Sequence, residues 1–378
     1  MDFSQLLKVM VDRGGSDLFI TAGAPPSIKV DGTIKALTRE SLSAAQSQAL
    51  VHSTMNDKQM AEFESTNECN FALSVNGIGR FRVSAYVQRN TPGMVLRSIA
   101  SYIPTMDELR LPEILKTLAT TKRGLILFVG GTSTGKSTSL ASMIDYRNET
   151  TAGHIITIED PIEYIHQHKK SIITQREVGL DTESFETGLK NTLRQAPDVI
   201  LMGEIRSADT MGYGLAFAET GHLCLATLHA NNANQALDRI ISFFGPEHHN
   251  QIWMDLSLNL KAIIAQQLVP TVDGKGRRAT IEVLINTPLV SDLIRKGDVH
   301  EIKEVMKKSA NLGMRTFDQS LYDLYQAGDI TYETALSHAD SANDLRLMIK
   351  LTQEGKGQPG ADDLPSFTLQ DEDDTKNL

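Results

Sequence analysis

Residues 130–137 read Gly-Gly-Thr-Ser-Thr-Gly-Lys-Ser and match the spacing G-x-x-x-x-G-K-[ST]. An apolar run at residues 125–129 precedes this stretch and has the length of a buried strand. Behind it, Leu140, Met143 and Ile144 recur at the spacing of a helix face. A strand, a glycine-rich turn and a helix in this order predict a loop that cradles phosphate groups at the edge of a sheet.

The loop and the helix after it both contribute groups that can bind a nucleoside triphosphate. Glycines let backbone N–H groups converge on phosphate oxygens, and the helix N-terminus adds partial positive charge. Lys136 can reach the β- and γ-phosphates, and the hydroxyl of Ser137 can ligate Mg²⁺. The alternative is a glycine-rich turn that binds nothing. We assign to nucleotide binding the residues Gly130, Gly131, Thr132, Ser133, Thr134, Gly135, Lys136, Ser137 and Thr138.

The composition is typical of a globular chain with more than one domain. The 378 residues suggest about two or three domains, and 40% are apolar and 22% charged. The sequence lacks a run of about 18 apolar residues, and its N-terminus lacks the basic and apolar regions of a secretory signal. We therefore expect a cytosolic protein without direct membrane insertion.

Charge and cysteine content exclude further classes of protein. The net charge of −10 argues against nucleic acid and against membrane lipid as partners. Cys69 and Cys224 are far apart in the chain and suit reduced, buried thiols better than a disulfide framework. Cysteine and histidine spacing does not match a zinc site.

The first part of the chain, residues 1–100, has the pattern of a small α+β domain. Apolar residues at helical spacing begin at Phe3, and strand-like runs follow them. Asp31-Gly32 and Asn76-Gly77 predict hairpin turns. Two prolines mark residues 101–118 as a linker with a short helix.

Residues 119–351 have the pattern of an α/β fold with a mostly parallel sheet. Strands are predicted at residues 125–129, 155–158, 199–202, 223–228 and 281–285, with helices between and after them. The ligand of such a sheet lies beyond the carboxyl ends of the strands, so the polar groups that follow the strands should face it. Residues 352–378 are acidic and poor in large apolar groups, and we predict a disordered tail.

Hydrolysis of the triphosphate needs carboxylates beside the loop. The strand at residues 199–202 leads into Gly203-Glu204, where many NTPases carry an aspartate before the glutamate. Glu204 must then serve Mg²⁺, through a water molecule. Glu159 and Glu163 are both candidates for the general base, and the sequence does not rank them. As an alternative, Glu159 or Asp160 caps the turn at the following proline.

Histidines and arginines supply further candidates. His229 ends a predicted strand and is suited to sensing the γ-phosphate, whereas His222 precedes that strand and is equally suited to a structural role. Arg82 and Arg97 lie on neighbouring strand-like segments outside the phosphate-binding domain. They are either solvated surface arginines or part of a switch in which they reach nucleotide when the two domains approach.

Four motifs in this order resemble those of a known family. Residues 154–163, His-Ile-Ile-Thr-Ile-Glu-Asp-Pro-Ile-Glu, look like the Asp box of secretion ATPases. Residues 220–229, Thr-Gly-His-Leu-Cys-Leu-Ala-Thr-Leu-His, look like their His box. With the loop at residues 130–137 and the Gly203-Glu204 form of Walker B, the chain is similar to type IV pilus retraction ATPases of the PilT/PilU type. The likeness covers residues 1 to about 350.

The resemblance implies a hexameric motor with a PAS-like N-terminal domain and a RecA-like P-loop ATPase core. ATP hydrolysis would drive removal of pilin from the pilus base during twitching motility, at the cytoplasmic face of the inner membrane. An inner-membrane platform protein would be the partner. By motif, Lys136 and Ser137 hold phosphate and Mg²⁺, Glu204 is the Walker B glutamate and Glu163 is the base. His222 and His229 are the His-box pair, and Arg82 and Arg97 match the N-terminal arginines that reach nucleotide.

Three departures favour the PilU branch of this family. Residues 289–296 read Leu-Val-Ser-Asp-Leu-Ile-Arg-Lys where the main retraction motors carry an Ala-Ile-Arg-Asn-Leu-Ile-Arg-Glu-like segment. Residues 194–198 stand where those motors carry a more acidic segment before Walker B. The acidic tail extends beyond the usual end of the family. This branch implies an accessory to the main pilus retraction ATPase. The alternatives are a pilus-extension or type II secretion ATPase, a nucleic-acid motor, and a non-hydrolysing partner of another ring.

Overall fold

The structure, a computed structural model, describes residues 3–30, 32–99 and 102–355. An N-terminal α+β domain is followed by a larger α/β core. The N-terminal elements are α1 (Phe3–Asp12), β1 (Asp17–Ile20), β2 (Ser27–Val30), β3 (Thr33–Ala36), α2 (Ala44–His52), α3 (Asp57–Thr66), β4 (Glu68–Val75), β5 (Gly79–Gln88) and β6 (Thr91–Ile99).

The N-terminal strands form one antiparallel sheet in the order β3-β2-β1-β6-β5-β4. Apolar side chains of α1, α2 and α3 pack with alternate strand residues in one core, for example Leu7, Val51 and Phe63 against Phe81. The hairpin between β4 and β5 turns at the predicted Asn76-Gly77. The β2-β3 hairpin also forms where it was predicted, although Asp31 of its turn lies outside the described residues.

The predicted linker is part of the core rather than a free connection. Residues 106–119 pack against the first core strand, and the short helix α4 (Ile114–Ala119) buries Leu115 and Leu118 there. Arg110 forms an ion pair of 2.9 Å with Asp329, far along the chain. The described residues from Met106 onward therefore belong to the core.

The core sheet has seven strands in the order β13-β12-β7-β11-β10-β8-β9. All neighbours are parallel except the antiparallel pair β12 and β13. The four strands predicted at residues 125–129, 155–158, 199–202 and 223–228 are confirmed, and the run at 281–285 lies within β13. The strands are β7 (Gly124–Val129), β8 (Gly153–Glu159), β9 (Ser171–Glu177), β10 (Val199–Met202), β11 (Leu223–Leu228), β12 (Leu260–Pro270) and β13 (Arg277–Ile285).

Helices cover both faces of this sheet, as parallel strands require. Along β7, Leu125, Leu127 and Val129 pack into one apolar cluster, whereas Ile126 and Phe128 pack into the cluster on the opposite face. The central strands are apolar throughout because both faces are buried. The helices between the strands are α5 (Lys136–Thr150), α6 (Phe185–Thr192), α7 (Ala208–Glu219), α8 (Ala233–Ile241) and α9 (His249–Asn259).

Five helices follow the sheet, and the last of them extends beyond the predicted end of the folded region. These are α10 (Pro288–Lys296), α11 (Ile302–Lys308), α12 (Phe317–Gln326), α13 (Tyr332–His338) and α14 (Ala342–Gly355). Residues 352–355, predicted as the start of the tail, are helical. The rest of the tail lies outside the described residues. In the part of the chain that the structure describes, no helix is long and apolar enough to cross a bilayer.

Glu282 of β13 is an ionisable side chain in the interior, with 2% of its surface exposed. Its Oε1 accepts the backbone N–H of Ala233, the first residue of α8, at 2.9 Å. The pKa of Glu282 is raised from its usual 4.5 to about 7, mainly by burial and against the lowering effect of the hydrogen bond from Ala233. A neutral carboxyl group therefore joins the sheet to the start of α8 in acid.

The packing of α4 makes a first prediction. Leu115→Ala should lower the free energy of unfolding of the core by about 2–5 kcal/mol, because it leaves a cavity among buried side chains. Leu258→Ala is the matched control, since Leu258 is 69% exposed on α9 and its loss should change stability by less than about 0.5 kcal/mol. Urea unfolding followed by circular dichroism measures both. Equal stability of the two variants would contradict the placement of α4 in the core.

A second prediction concerns pH. The folded-state pKa of Glu282 is raised, so its contribution to stability is complete below about pH 4.5 and is lost as pH rises through about 7. Glu282→Gln keeps an acceptor for Ala233 and cannot ionise. Relative to this variant, the wild type should lose about 3 kcal/mol of unfolding free energy between pH 4.5 and pH 8. Parallel pH dependences of unfolding for the two proteins would refute the assignment.

Candidate functional site

A cleft of about 230 Å³ lies at the carboxyl ends of β7, β8, β10 and β11. Parallel strands bring these ends to one edge of the sheet, which is where ligands of open α/β sheets bind. The cleft gathers half of the sixteen site residues predicted from the sequence. Those that line it are Thr132, Ser133, Lys136, Ser137, Glu159, Glu163, Glu204 and His229.

The phosphate-binding loop is shaped by a side chain that sequence reasoning missed, Gln266 of β12. Its amide Nε2 donates to the carbonyl oxygen of Thr134 at 2.9 Å. A Cβ at Gly130 would lie 2.6 Å from the carbonyl oxygen of Gln266, and a Cβ at Gly135 would lie 2.8 Å from its Nε2. Both glycines also have positive φ, of 156° and 85°. Sterics and backbone conformation therefore both require glycine at these two positions.

Among the hydroxyl residues of the loop, Thr134 has a structural role. The Thr134 hydroxyl donates to the carbonyl oxygen of Gly131 at 3.0 Å and closes the turn. Ser133 has a left-handed backbone with φ of 61°. The hydroxyl of Thr138, which the sequence predicted to bind nucleotide, lies 2.8 Å from the hydroxyl of Tyr164. Thr138 thus links the start of α5 to the segment of residues 160–170, called here the 160–170 segment.

Lys136 lies at the first position of α5 and folds back over the loop. Its ammonium Nζ donates to the carbonyl oxygens of Gly130 and Gly131 at 2.8 and 2.6 Å. Burial lowers the pKa of Lys136, while the charges of Glu204 and Glu163 raise it. The one cation of the loop is therefore close to both carboxylates that the sequence predicted for hydrolysis.

Glu204 follows β10 and is held from two sides. Its Oε1 lies 3.1 Å from Nε2 of His229, and its Oε2 accepts from Nε of Arg206 at 2.7 Å. A second nitrogen of Arg206 lies 3.6 Å from Asp160. Sequence reasoning missed Arg206, although its position two residues after Glu204 was the available signal. The ends of β8, β10 and β11 are thus joined by charged side chains at the cleft.

Glu159 and Glu163 occupy different environments. Oε1 of Glu159 accepts the Thr157 hydroxyl at 2.7 Å and Nε2 of Gln175 at 3.2 Å, and burial raises the pKa of Glu159. Glu163 is exposed at the cleft wall, and no hydrogen bond or ion pair engages its carboxylate among the described residues. The geometry thus distinguishes a held carboxyl group from a free carboxylate.

Neither Glu159 nor Asp160 caps the turn in the way considered from the sequence. The backbone N–H of Ile162 donates to Oε2 of Glu177 on β9 at 3.2 Å. Asp160 faces Arg206, and the carboxylate of Glu159 is turned toward β9. The residue that satisfies the turn is 15 positions further along the chain, so local sequence could not identify it.

His222 lies outside the cleft, at the amino end of β11. Its Nδ1 lies 3.2 Å from the carbonyl oxygen of Phe217 and 3.1 Å from the Thr220 hydroxyl. The length of β11 separates it from His229 by about 20 Å. Within one chain, the structure therefore does not bring the predicted histidine pair together at the nucleotide.

The two N-terminal arginines are also outside the cleft. Arg82 and Arg97 are directly opposite each other on β5 and β6, as predicted for neighbouring strands. Nε of Arg97 is 3.0 Å from Asp17, and its side chain is 74% exposed. Arg82 lines a second cleft of about 180 Å³, between the N-terminal sheet and residues 177–180 at the end of β9. Arg82 therefore lies beside the core, whereas Arg97 is paired within the N-terminal domain.

The described residues contain no cluster of three or more histidine, cysteine or acidic side chains that could hold a metal by themselves. Cys69 and Cys224 are buried free thiols, as predicted. The oxygen donors that line the cleft beside the loop, the Ser137 hydroxyl and the Glu204 carboxylate, are of the kind Mg²⁺ prefers. Two such ligands suit an ion that keeps several waters and binds with substrate phosphates.

The chain is similar to several known proteins over most of its length. A family model described as "Type II/IV secretion system protein" matches residues 3–311. The Pseudomonas aeruginosa type IV pilus ATPase PilU is 67% identical over 97% of this chain and 95% of that protein. The retraction ATPase PilT of the same organism is 41% identical over 90% of this chain and 98% of that protein. A crystal structure of the pilus retraction motor PilT with bound ADP has a TM-score of 0.86 at 41% identity, covering 92% of this chain and 100% of that chain.

The contacts of the loop make a third prediction. Gly130→Ala should weaken nucleotide binding at least about tenfold and lower stability by about 1–3 kcal/mol, because its Cβ meets backbone where φ is already unfavourable. Gly212→Ala is the control, since Gly212 is exposed on α7 and a Cβ there would meet no atom within 4 Å. Titration with a fluorescent ADP analogue and thermal unfolding measure the two effects. Equal behaviour of the two variants would contradict the loop geometry.

Proposed function

Because the chain belongs to the family of type II/IV secretion system proteins, we propose that it uses ATP to move its two domains relative to each other and thereby drives type IV pilus retraction. The chain is a P-loop ATPase of the pilus retraction type, and its proposed nucleotide site is the cleft at the edge of the core sheet. The observation that carries the proposal is the convergence of Lys136, Glu163, Glu204 and His229 on that cleft.

The cleft residues support distinct roles in hydrolysis. Lys136 neutralises charge on the β- and γ-phosphates. To reach them, its ammonium group exchanges its hydrogen bonds with two loop carbonyl oxygens for bonds to phosphate oxygens. Glu163 is the proposed general base, since its carboxylate is exposed at the cleft and free to orient the attacking water. Glu159 lies beside Glu163 in a fixed orientation, because its carboxyl group accepts hydrogen bonds from Thr157 and Gln175. His229, paired with Glu204, is placed to respond to the γ-phosphate.

Mg²⁺ is the proposed cofactor, held by the Ser137 hydroxyl and by Glu204 through water. When bound, the ion would supply positive charge to the phosphate oxygens. Glu204 already accepts from Arg206 and faces His229, which supports an indirect contact with the ion rather than a direct one.

Arg82, Arg97 and His222 are proposed to act on nucleotide only after domain movement or across a subunit boundary. All three lie away from the cleft of their own chain. The core and the N-terminal domain have separate apolar cores, so relative motion breaks few buried contacts. A homo-hexameric ring, as the resemblance suggests, would place each cleft beside a neighbouring subunit.

The finer proposal is an accessory role beside the main pilus retraction ATPase. The identity of 67% to PilU against 41% to PilT supports it. The partner would be an inner-membrane platform protein at the cytoplasmic face, reached through protein contacts. A pilus-extension or secretion ATPase is the nearest alternative, but the four-cysteine zinc segment usual there cannot be built from two cysteines.

A fourth prediction separates the two carboxylates. Glu163→Gln should retain ATP binding and reduce kcat by about 10²–10⁴-fold, because it removes the general base. Glu159→Gln should retain more activity, since an amide can still accept from Thr157. Phosphate release and nucleotide titration measure both variants, with Lys136→Ala as the control that loses turnover. A fully active Glu163→Gln with an inactive Glu159→Gln would reverse the assignment.

A cellular test addresses the accessory role. Pilus retraction should be compared in cells that lack this protein, the main retraction motor, or both. Dependence of retraction on this protein when the main motor is impaired in hydrolysis would support the proposal. If deletion changes no pilus behaviour, the accessory role is wrong.

A further inference from the structure

Both polar atoms of the Gln175 side chain on β9 form hydrogen bonds with Glu159 and the 160–170 segment. Nε2 donates to Oε1 of Glu159 at 3.2 Å and to the carbonyl oxygen of Tyr164 at 2.9 Å. Its Oε1 accepts the backbone N–H of His166 at 2.8 Å. One side chain therefore ties the end of β8 to two points of the 160–170 segment.

The 160–170 segment depends on side chains because it contains no helix and no strand. Its backbone groups need partners other than a regular ladder. Glu177 accepts the N–H of Ile162, and Gln175 holds Tyr164 and His166. These two side chains of β9 are two residues apart and so lie on the same face of the strand.

Glu163 lies between the two tethered positions. The residue before it is held through its N–H by Glu177, and the residue after it is held through its carbonyl oxygen by Gln175. The position of the Glu163 backbone at the cleft wall is thus set by an edge strand of the sheet. The side chain of Glu163 is left free to face the cleft.

We propose that Gln175 is a positioning residue for hydrolysis, which places Glu163 at the nucleotide and holds Glu159 beside it. This inference rests on the proposed ATPase chemistry and identifies a residue outside the P-loop and the carboxylates themselves. Gln175 acts through Glu159 and the 160–170 backbone and takes no part in bond making.

The chemistry of these contacts requires an amide. The position needs a donor toward Glu159 and Tyr164 and an acceptor toward the N–H of His166. A glutamate offers only acceptors when ionised, and a lysine offers only donors. Glutamate at position 175 would also place a second carboxylate beside Glu159, and like charges at this distance disfavour ionisation of both.

Two variants of the full-length protein test the proposal. Gln175→Glu keeps the acceptor for His166 and the side-chain size but loses both donated hydrogen bonds. Gln175→Met loses all three hydrogen bonds at similar volume. Ile172→Thr is the matched control, because Ile172 lies on the opposite face of the same strand and is 64% exposed.

Steady-state phosphate release and nucleotide titration give the first readout. Both Gln175 variants should lower kcat by about 10- to 100-fold while the Kd for ATP changes by less than about threefold. The acidic limb of the kcat against pH profile should move to higher pH in Gln175→Glu. Unchanged kcat, or a loss of affinity as large as the loss of kcat, would overturn the positioning role.

Amide hydrogen exchange of residues 160–170 in the nucleotide-free protein gives a second readout that does not depend on turnover. Exchange there should accelerate about tenfold or more in Gln175→Met and remain unchanged in Ile172→Thr. If the wild type released no phosphate, the proposed ATPase function would be wrong. The exchange rates would still show whether Gln175 holds the 160–170 segment in place. Unaltered exchange in Gln175→Met would show that Gln175 does not hold the 160–170 segment in place.

Discussion

The parallel alignment of β7, β11, β10 and β8 is the constraint on which the site depends. Parallel strands end at one edge of the sheet, so the groups that follow each strand meet there, although they are far apart in sequence. Lys136 follows β7, Glu163 follows β8, Glu204 follows β10 and His229 follows β11. The apolar sequence of these strands, buried on both faces, holds that edge rigidly.

Side chains from outside the four strands complete the geometry. Gln266 of β12 presses on the phosphate-binding loop and leaves room only for glycine at Gly130 and Gly135. Gln175 and Glu177 of β9 hold the 160–170 segment from the other end of the sheet. The flanking strands thus carry amide and carboxyl groups that contact the loop and the 160–170 segment.

The end of β9 also faces the N-terminal domain. Arg82 lines a cleft with residues 177–180, which adjoin Glu177. The linker helix α4 packs with the core. The end of β9 thus lies next to the N-terminal sheet on one side and contacts the 160–170 segment through Glu177.

Local patterns in the sequence determined the phosphate-binding loop, the four central strands, the hairpins and the lysine and glutamates of the cleft. Strand and loop patterns are local, because they depend on side-chain periodicity and glycine conformation. Only the tertiary structure decided that the linker joins the core, that Gln266, Arg206 and Gln175 hold the site, and that His222, Arg82 and Arg97 lie outside it. These facts depend on contacts between residues distant in the chain, and no local spacing encodes which strand end lies beside which.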